Sequence, residues 1–170
     1  MFTSPLASAE SAEQPAAPPT WFVSGGALLG GDTLGPALGG AKVEAGLEAY
    51  GSLWAHGDAA VAAPTGVDQK PSGHYTAVRF GAENRLCTST GGACFVSGLD
   101  LGWRTYELGG SNQPTSKVSG FQAAAQVGGD FGGRVRFRPA VQALVNLGHD
   151  HTNKQLLDGI MFTLSVMYQQ

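Results

Sequence analysis

The sequence predicts an all-β fold, namely an antiparallel, up-and-down transmembrane β-barrel of about eight strands. Three observations predict it. Apolar and polar residues alternate along most of the chain, charged residues make up only 14% of it, and short connections alternate with longer ones. Successive side chains of a strand point to opposite faces, so alternation indicates strands with one apolar face. A charge content well below the ~25% of an ordinary soluble domain indicates a surface that does not face water.

The alternation is clearest between Ala41 and His56. Odd positions there are uncharged and mostly apolar, whereas the charged residues Lys42, Glu44 and Glu48 occupy even positions. Five later segments divide in the same way, and no apolar face among them carries a charge: 75–83, 95–104, 121–127, 135–146 and 159–168. A glycine-rich first strand at 22–31 and a short third strand at 58–63, after a turn at 56–58, complete the eight.

The connections between these strands fall into two sets. The short set is 56–58, 88–93 and 130–133, and the longer, more polar set is 32–40, 64–73, 108–117 and 148–157. Short turns at one end and longer loops at the other are typical of an outer-membrane barrel.

Composition also excludes other classes of protein. No stretch approaches the ~20 consecutive apolar residues of a membrane-spanning helix, so a helical membrane protein is excluded. The net charge of −3 leaves no basic surface for nucleic acid. The local cluster of Arg134, Arg136 and Arg138 has the alternate spacing of one strand face, so we predict no nucleic-acid partner.

The N-terminal residues 1–20 differ from the rest of the chain. They are rich in Ala, Ser, Glu and Pro and show no strand periodicity. Ala7 and Ala9 occupy the small-residue positions that end a signal peptide, but a charged start and a full apolar stretch are missing. We therefore expect 1–20 to be a trimmed signal remnant or a disordered lead-in, and 21–170 to be the barrel domain.

The two cysteines, Cys87 and Cys94, flank the glycine pair Gly91 and Gly92. A chain that turns at the glycines brings the two thiols opposite one another, which predicts a hairpin disulfide and an oxidising compartment. The alternative is two unrelated free thiols. Two cysteines without a histidine at ligand spacing do not make a zinc site.

Alternation alone does not say which face points outward. A soluble, lipocalin-like barrel that binds an apolar ligand inside alternates as well. The polar face, however, carries charges of both signs, which can neutralise one another in a narrow lumen. The predicted lumen charge network is Lys42, Glu44, Glu48, Arg79, Glu83, Asp100, Arg104, Arg136 and Arg138. The predicted lipid-facing aromatics, mostly near strand ends, are Phe95, Trp103, Phe121, Phe137, Phe162 and Tyr168.

The last strand, 159–168 (GIMFTLSVMY), resembles the C-terminal assembly strand of bacterial outer-membrane β-barrel proteins. It departs from that pattern by placing Gln169 and Gln170 after the terminal aromatic. The whole pattern from Trp21 to Tyr168 is similar to the small eight-stranded barrels of the OmpA/OmpX-like type. That resemblance implies the Gram-negative outer membrane as location, with outer-membrane lipid and the barrel-assembly machinery as partners. It implies no particular partner for the surface loops.

The predicted function is a structural, surface-exposed or narrow-channel role without enzyme activity. Because some barrels of this size resemble lipid-modifying enzymes, a nucleophile, base and acid are worth seeking on the loops. The candidates there have no distinctive spacing: Ser72, His74, Ser111, Ser116, His149, Asp150 and His151. The two histidines at 149 and 151 supply fewer than the three or four ligands of a metal site. We therefore predict no catalytic, cofactor-binding or metal-binding residues.

Overall fold

The computed structural model describes residues 20–32, 37–65, 72–110, 113–147 and 159–170. These residues form eight β-strands: β1 (Trp21–Asp32), β2 (Ala37–Tyr50), β3 (Leu53–Pro64), β4 (Ser72–Cys87), β5 (Ala93–Gly110), β6 (Gln113–Gly132), β7 (Val135–Asn146) and β8 (Gly159–Gln169). In this part of the chain no helix is long and apolar enough to cross a membrane. The predicted lead-in, 1–20, lies outside the described residues except for Thr20.

Each strand pairs antiparallel with the next, and β8 pairs with β1 to close the sheet into a barrel. The predicted antiparallel, up-and-down barrel of eight strands is therefore confirmed. At this strand number the interior is just wide enough for side chains to fill it.

The strands sort their side chains by parity. Even positions point inward in β1, β2, β3, β5, β6 and β7, and odd positions point inward in β4 and β8. Most charged side chains lie on the inward face, together with two apolar clusters near the barrel ends, and the outward face is almost wholly apolar. A soluble, lipocalin-like barrel would have a polar outer face and an apolar ligand cavity, so the apolar outer face and the buried charges argue against that alternative.

Three connections of at most five residues lie at one end of the barrel, which we call the turn end: 51–52, 88–92 and 133–134. The connections at the opposite end, which we call the loop end, are 33–36, 65–71, 111–112 and 147–158. The chain enters β1 and leaves β8 at the turn end, where Gln170 N–H donates to Trp21 O at 3.0 Å.

The predicted turn at 56–58 is wrong, because these residues lie inside β3. The β2–β3 turn instead centres on Gly51, whose φ is 55°. A bulge between Glu48 and Tyr50 makes the pairing symmetric about Gly51, so even positions face inward in both strands. The alternation therefore continues through the turn without a change of phase, and periodicity could not locate it.

The predicted long connection at 108–117 is mostly strand. β5 continues to Gly110 and β6 starts at Gln113, with Glu107 paired to Lys117. The sequence of this stretch is polar and glycine-rich on both faces, so no alternation marked it as a hairpin. As a result β5 and β6 are the longest described strands, at 18 and 20 residues.

Candidate functional site

The barrel interior holds a cluster of buried charged residues, which we call the lumen cluster. Among the described residues it contains five carboxylates, five Lys or Arg side chains and one histidine. Its members are Glu44, Asp58, Glu83, Asp100, Asp130, Lys42, Arg79, Arg85, Arg104, Arg138 and His56. Because unpaired buried charge is costly, the equal numbers of anions and permanent cations are what a closed interior requires.

Arg138 on β7 is the centre of the lumen cluster. Its guanidinium donates to Asp130 at 2.5 and 3.0 Å, to Glu83 at 3.0 and 3.1 Å, and to Glu44 at 3.2 Å. The three carboxylates come from β6, β4 and β2, so one side chain ties together four of the eight strands. Bidentate pairs of this kind are the strongest ionic hydrogen bonds in proteins.

A second set of ion pairs lies between β2, β3 and β4. Lys42 Nζ is 3.1 Å from Glu44 and 3.5 Å from Asp58. Arg79 donates to the other carboxylate oxygen, Asp58 Oδ1, from Nε at 3.1 Å and from Nη2 at 3.0 Å. Asp58 on β3 therefore pairs with two cations, Lys42 on β2 and Arg79 on β4.

Neutral amides connect the two sets across the lumen. Arg79 donates to Gln142 at 3.3 Å, Gln142 donates to Gln126 at 3.1 Å, and Gln126 donates to Glu83 at 3.2 Å. The chain of hydrogen bonds thus runs from β4 through β7 and β6 and back to β4. Its effect is to satisfy polar groups that no solvent reaches.

His56 on β3 lies between two carboxylates. Its Nδ1 is 2.9 Å from Glu44 and its Nε2 is 2.8 Å from Asp100. The ring therefore lies within ion-pair distance of a carboxylate on β2 and of another on β5.

Glu44, His56 and Glu83 bring one potential metal-ligand atom each within 4.8 Å of one another. The guanidinium of Arg138 already lies between the two carboxylates, at 3.0 to 3.2 Å from each. A divalent ion there would face a fixed positive charge. The donor set therefore suits an arginine and not a metal.

Apolar side chains close the lumen at the turn end. Phe22, Trp54 and Met167 form a buried cluster, and the rings of Phe22 and Trp54 are 5.7 Å apart. The guanidinium of Arg85 lies 4.1 Å from each ring centroid, which joins the aromatic cluster to the charges by cation–π contact. Gly46 makes room for this cluster, since a Cβ there would lie 2.3 Å from the Phe22 ring.

A larger apolar cluster closes the lumen toward the loop end. Its members are Leu28, Leu38, Ala60, Ala62, Tyr75, Ala77, Tyr106, Ala124, Leu144 and Met161. The Tyr75 hydroxyl donates to Gln122 at 2.9 Å, and Tyr106 packs edge-on against the Tyr75 ring. The cavity beside these tyrosines measures about 20 Å³, enough for about one water molecule.

The outer face of the barrel is an apolar surface bounded by aromatic residues. Toward the turn end lie Trp21, Phe95, Phe131, Phe137 and Tyr168, and toward the loop end lie Trp103 and Phe121. Two pairs are in ring contact, Trp21 with Tyr168 and Trp103 with Phe121. Where the structure describes the side chain, charged residues that are not buried lie only near strand ends: Glu48, His74, Glu107, Lys117, Arg134 and Arg136.

The structure places the predicted site residues as follows. Seven of the nine predicted network residues lie in the lumen cluster: Lys42, Glu44, Arg79, Glu83, Asp100, Arg104 and Arg138. Glu48 and Arg136 do not join them, because both lie near the turn end of their strands and are only partly buried. All six predicted lipid-facing aromatics are exposed on the outer face: Phe95, Trp103, Phe121, Phe137, Phe162 and Tyr168.

Sequence reasoning missed four members of the lumen cluster: His56, Asp58, Arg85 and Asp130. His56, Asp58 and Asp130 lie in predicted turns, and Arg85 lies just beyond the predicted alternating segment 75–83. The signal that could have found them is parity, since each has the parity of the polar face of its strand.

The predicted disulfide between Cys87 and Cys94 is confirmed. It joins directly opposite positions of β4 and β5 beside the turn at 88–92. Arg136 lies against it, with Nη1 3.1 Å from Cys94 Sγ and Nη2 donating to Gly91 O at 2.8 Å.

The loop residues weighed as catalytic candidates are only partly described. Residues 111 and 149–151 lie outside the described residues, as do the side chains at 72 and 116. His74 is exposed at the loop end, where its Nε2 is 3.6 Å from Glu107. Lys117 lies 2.8 Å from the same Glu107, which makes this trio a surface ion-pair group of mixed sign.

No protein-family model and no curated protein matches the sequence. Solved structures do match in fold. Neisserial surface protein A (NspA) matches with a TM-score of 0.65 at 11% identity, over 89% of this chain and 95% of that chain. Ail, the attachment invasion locus protein of Yersinia pestis, matches with a TM-score of 0.60 at 12% identity, over 89% of this chain and 98% of that chain. The N-terminal β-barrel domain of Pseudomonas aeruginosa OprF matches with a TM-score of 0.55 at 12% identity, over 89% of this chain and 97% of that chain. These likenesses confirm the predicted OmpA/OmpX-like barrel fold.

Proposed function

We propose that this chain is an integral protein of the bacterial outer membrane, without enzyme activity, whose closed barrel holds a binding surface at the loop end outside the cell. The observation that carries the proposal is the inverted arrangement of the barrel. Large apolar side chains cover its outside, while a charge cluster of both signs is buried in its inside. In water a protein with such an apolar surface would aggregate, whereas in a bilayer the same surface contacts lipid acyl chains.

The dimensions of the apolar surface support this location. Phe95 and Trp103, both outward on β5, are eight residues apart. At ~3.4 Å per residue they are about 27 Å apart along the strand. A strand tilt of ~40° reduces this to a height of about 21 Å. That height is close to the ~25 Å apolar band of outer-membrane barrels.

The connections support an orientation. Outer-membrane barrels place short turns in the periplasm and longer loops outside. We therefore assign the turn end, with the disulfide, to the periplasm and the loop end to the cell surface. β5 extends seven residues past Trp103, to Gly110, which raises the β5–β6 hairpin about 18 Å above the aromatic level.

This raised hairpin supports a binding role for the loop end. One similar structure, Ail, is named for attachment, and it has also been solved with the heparin analogue sucrose octasulfate. In the present chain the described charges at the loop end have mixed sign, so we do not extend that ligand to it. We propose attachment through the hairpin and the neighbouring loops as the role of the protein.

Assembly into the membrane requires a partner of its own. Outward side chains of β8 alternate regularly from Ile160 to Tyr168, and β8 closes the barrel against β1. We propose the barrel-assembly machinery as the partner that reads this strand.

An epitope inserted between residues 111 and 112 tests the proposed location and orientation. Antibody should label intact Gram-negative cells that express this variant. A matched variant with the same epitope between Gly133 and Arg134, at the turn end, should be labelled only after the outer membrane is permeabilised. Labelling of intact cells through the second site, or recovery of both variants in the soluble fraction, would contradict the proposal.

A further inference from the structure

The disulfide at the turn end presents its two sulfurs differently. Cys87, the last residue of β4, is exposed, whereas Cys94, near the start of β5, is buried. A thiolate that approaches from the aqueous side therefore reaches Cys87 first. Which sulfur is attacked and which one leaves determines the rate of thiol–disulfide exchange.

A cation lies against the buried sulfur. Arg136 on β7 places Nη1 3.1 Å from Cys94 Sγ, and the contact of Nη2 with Gly91 O at 2.8 Å fixes the guanidinium in that position. A bonded disulfide sulfur is a weak acceptor and gains little from this contact. A thiolate at the same place would gain much more, because arginine favours the ionised form of a neighbouring cysteine.

The hairpin does not depend on the disulfide for its register. Pairing of β4 with β5 runs without a break from Ser72–Gly109 to Cys87–Cys94. It continues beyond the disulfide, since Thr88 N–H donates to Ala93 O at 2.8 Å. Opening the disulfide therefore leaves the barrel closed, so the bond can open and re-form in the folded protein.

We propose that Cys87–Cys94 is a site of reversible thiol exchange, at which an incoming thiolate forms a mixed disulfide with Cys87. The thiolate sulfur attacks Cys87 Sγ and forms a new S–S bond as the Cys87–Cys94 bond breaks. The bonding electron pair leaves on Cys94 Sγ, which becomes a thiolate held by the Arg136 guanidinium. Attack of that thiolate on Cys87 Sγ reverses the step and releases the incoming thiol. No electrons are gained or lost overall in the first step, and the thiol is the only co-reactant.

The cellular source of the thiol rests on the proposed function, because it places the turn end in the periplasm. The chemistry itself does not, and it can be measured on the full chain folded in detergent micelles. Heat-modifiable migration on a gel then reports folding separately from exchange.

The test uses reduced glutathione as the thiol. Folded protein is incubated with it for increasing times, quenched with acid, alkylated and mapped by tandem mass spectrometry. We expect glutathione on Cys87 and the alkyl group on Cys94. Adduct on Cys94, or equal adduct on both cysteines, would overturn the proposal, and this measurement needs no variant.

Three variants test the role of Arg136. Arg136→Gln should slow the formation of the adduct by about tenfold, because the departing thiolate loses a hydrogen bond from a cation. Arg136→Lys should recover part of the rate. Arg134→Gln removes a neighbouring exposed charge and should leave the rate unchanged. An unchanged rate in folded Arg136→Gln, or an equal loss in Arg134→Gln, would show that the disulfide is only a structural cross-link.

Discussion

Arg138 illustrates at the residue scale how the interior is stabilised. Its guanidinium contacts the carboxylates of Glu44, Glu83 and Asp130. Desolvation of these four charges is costly, so the cluster adds less to stability than its many hydrogen bonds suggest. Removing one member is a different matter, because it leaves the others buried without their partner. The charge network therefore contributes more to selecting one arrangement of the interior side chains than to the free energy of unfolding.

We predict that Arg138→Met lowers the free energy of unfolding by about 3–5 kcal/mol, the usual cost of leaving buried charge unpaired. Urea titration of the barrel in lipid vesicles measures it. Arg134→Met, at an exposed position of the turn at 133–134, is the matched control and should change stability by less than about 0.5 kcal/mol. Equal effects of the two substitutions would contradict the assigned role of Arg138.

The sequence was sufficient to identify Arg138 and most of its neighbours. Arg138, Glu44 and Glu83 lie on polar faces whose partner faces are free of charge, so parity alone placed them inside once the outer face was assigned to lipid. Parity could not say which charges meet, because contacts such as Arg138 with Glu44 join strands that are far apart in the sequence. Such contacts depend on the register of strand pairing around the whole barrel.

At the scale of the strands, alternation predicted the faces well and the turns poorly. The β2–β3 turn was missed because pairing symmetric about Gly51 keeps the same parity inside on both strands. The loop-end part of the β5–β6 hairpin, 108–117, was predicted as a loop because both of its faces are polar. Periodicity reports a difference between two faces, so it gives no information where the faces are alike or where a turn preserves the phase.

The β2–β3 turn provides a prediction for this scale. Gly51 has a φ of 55°, in the left-handed region that β-branched residues avoid. We predict that Gly51→Val lowers the free energy of unfolding by about 1–2 kcal/mol, through strain at a left-handed position. Gly51→Asn should cost a few tenths of a kcal/mol, because asparagine tolerates this conformation. Both are measured by urea titration, and a Val variant as stable as the Asn variant would contradict the assigned turn.

At the scale of the whole molecule, the described interior is closed by apolar clusters above and below the charges. Phe22, Trp54 and Met167 close it at the turn end, and the cluster around Tyr75 and Tyr106 closes it toward the loop end. Eight strands leave little space beyond what these side chains occupy. The molecule is thus built as a solid cylinder.

A solid cylinder should not conduct ions. We predict that the barrel reconstituted into planar bilayers gives no steady conductance above that of protein-free membranes, in contrast to the narrow-channel role that the sequence left open. An eight-stranded barrel with a known open lumen serves as positive control. Long-lived conductance steps from the folded protein would contradict the closed interior.

The central claim is that the apolar outer face contacts lipid. Single fluorophores at Leu47, Val141 and Leu164, all exposed on that face, test it most directly in lipid vesicles. Lys117 and Arg134, exposed at the two ends, supply the controls. We predict that a lipid-restricted quencher acts on the first three positions alone and that a water-soluble quencher acts on the two controls alone. Quenching of Leu47, Val141 and Leu164 from water, with a chain that stays monodisperse without detergent, would contradict the membrane assignment.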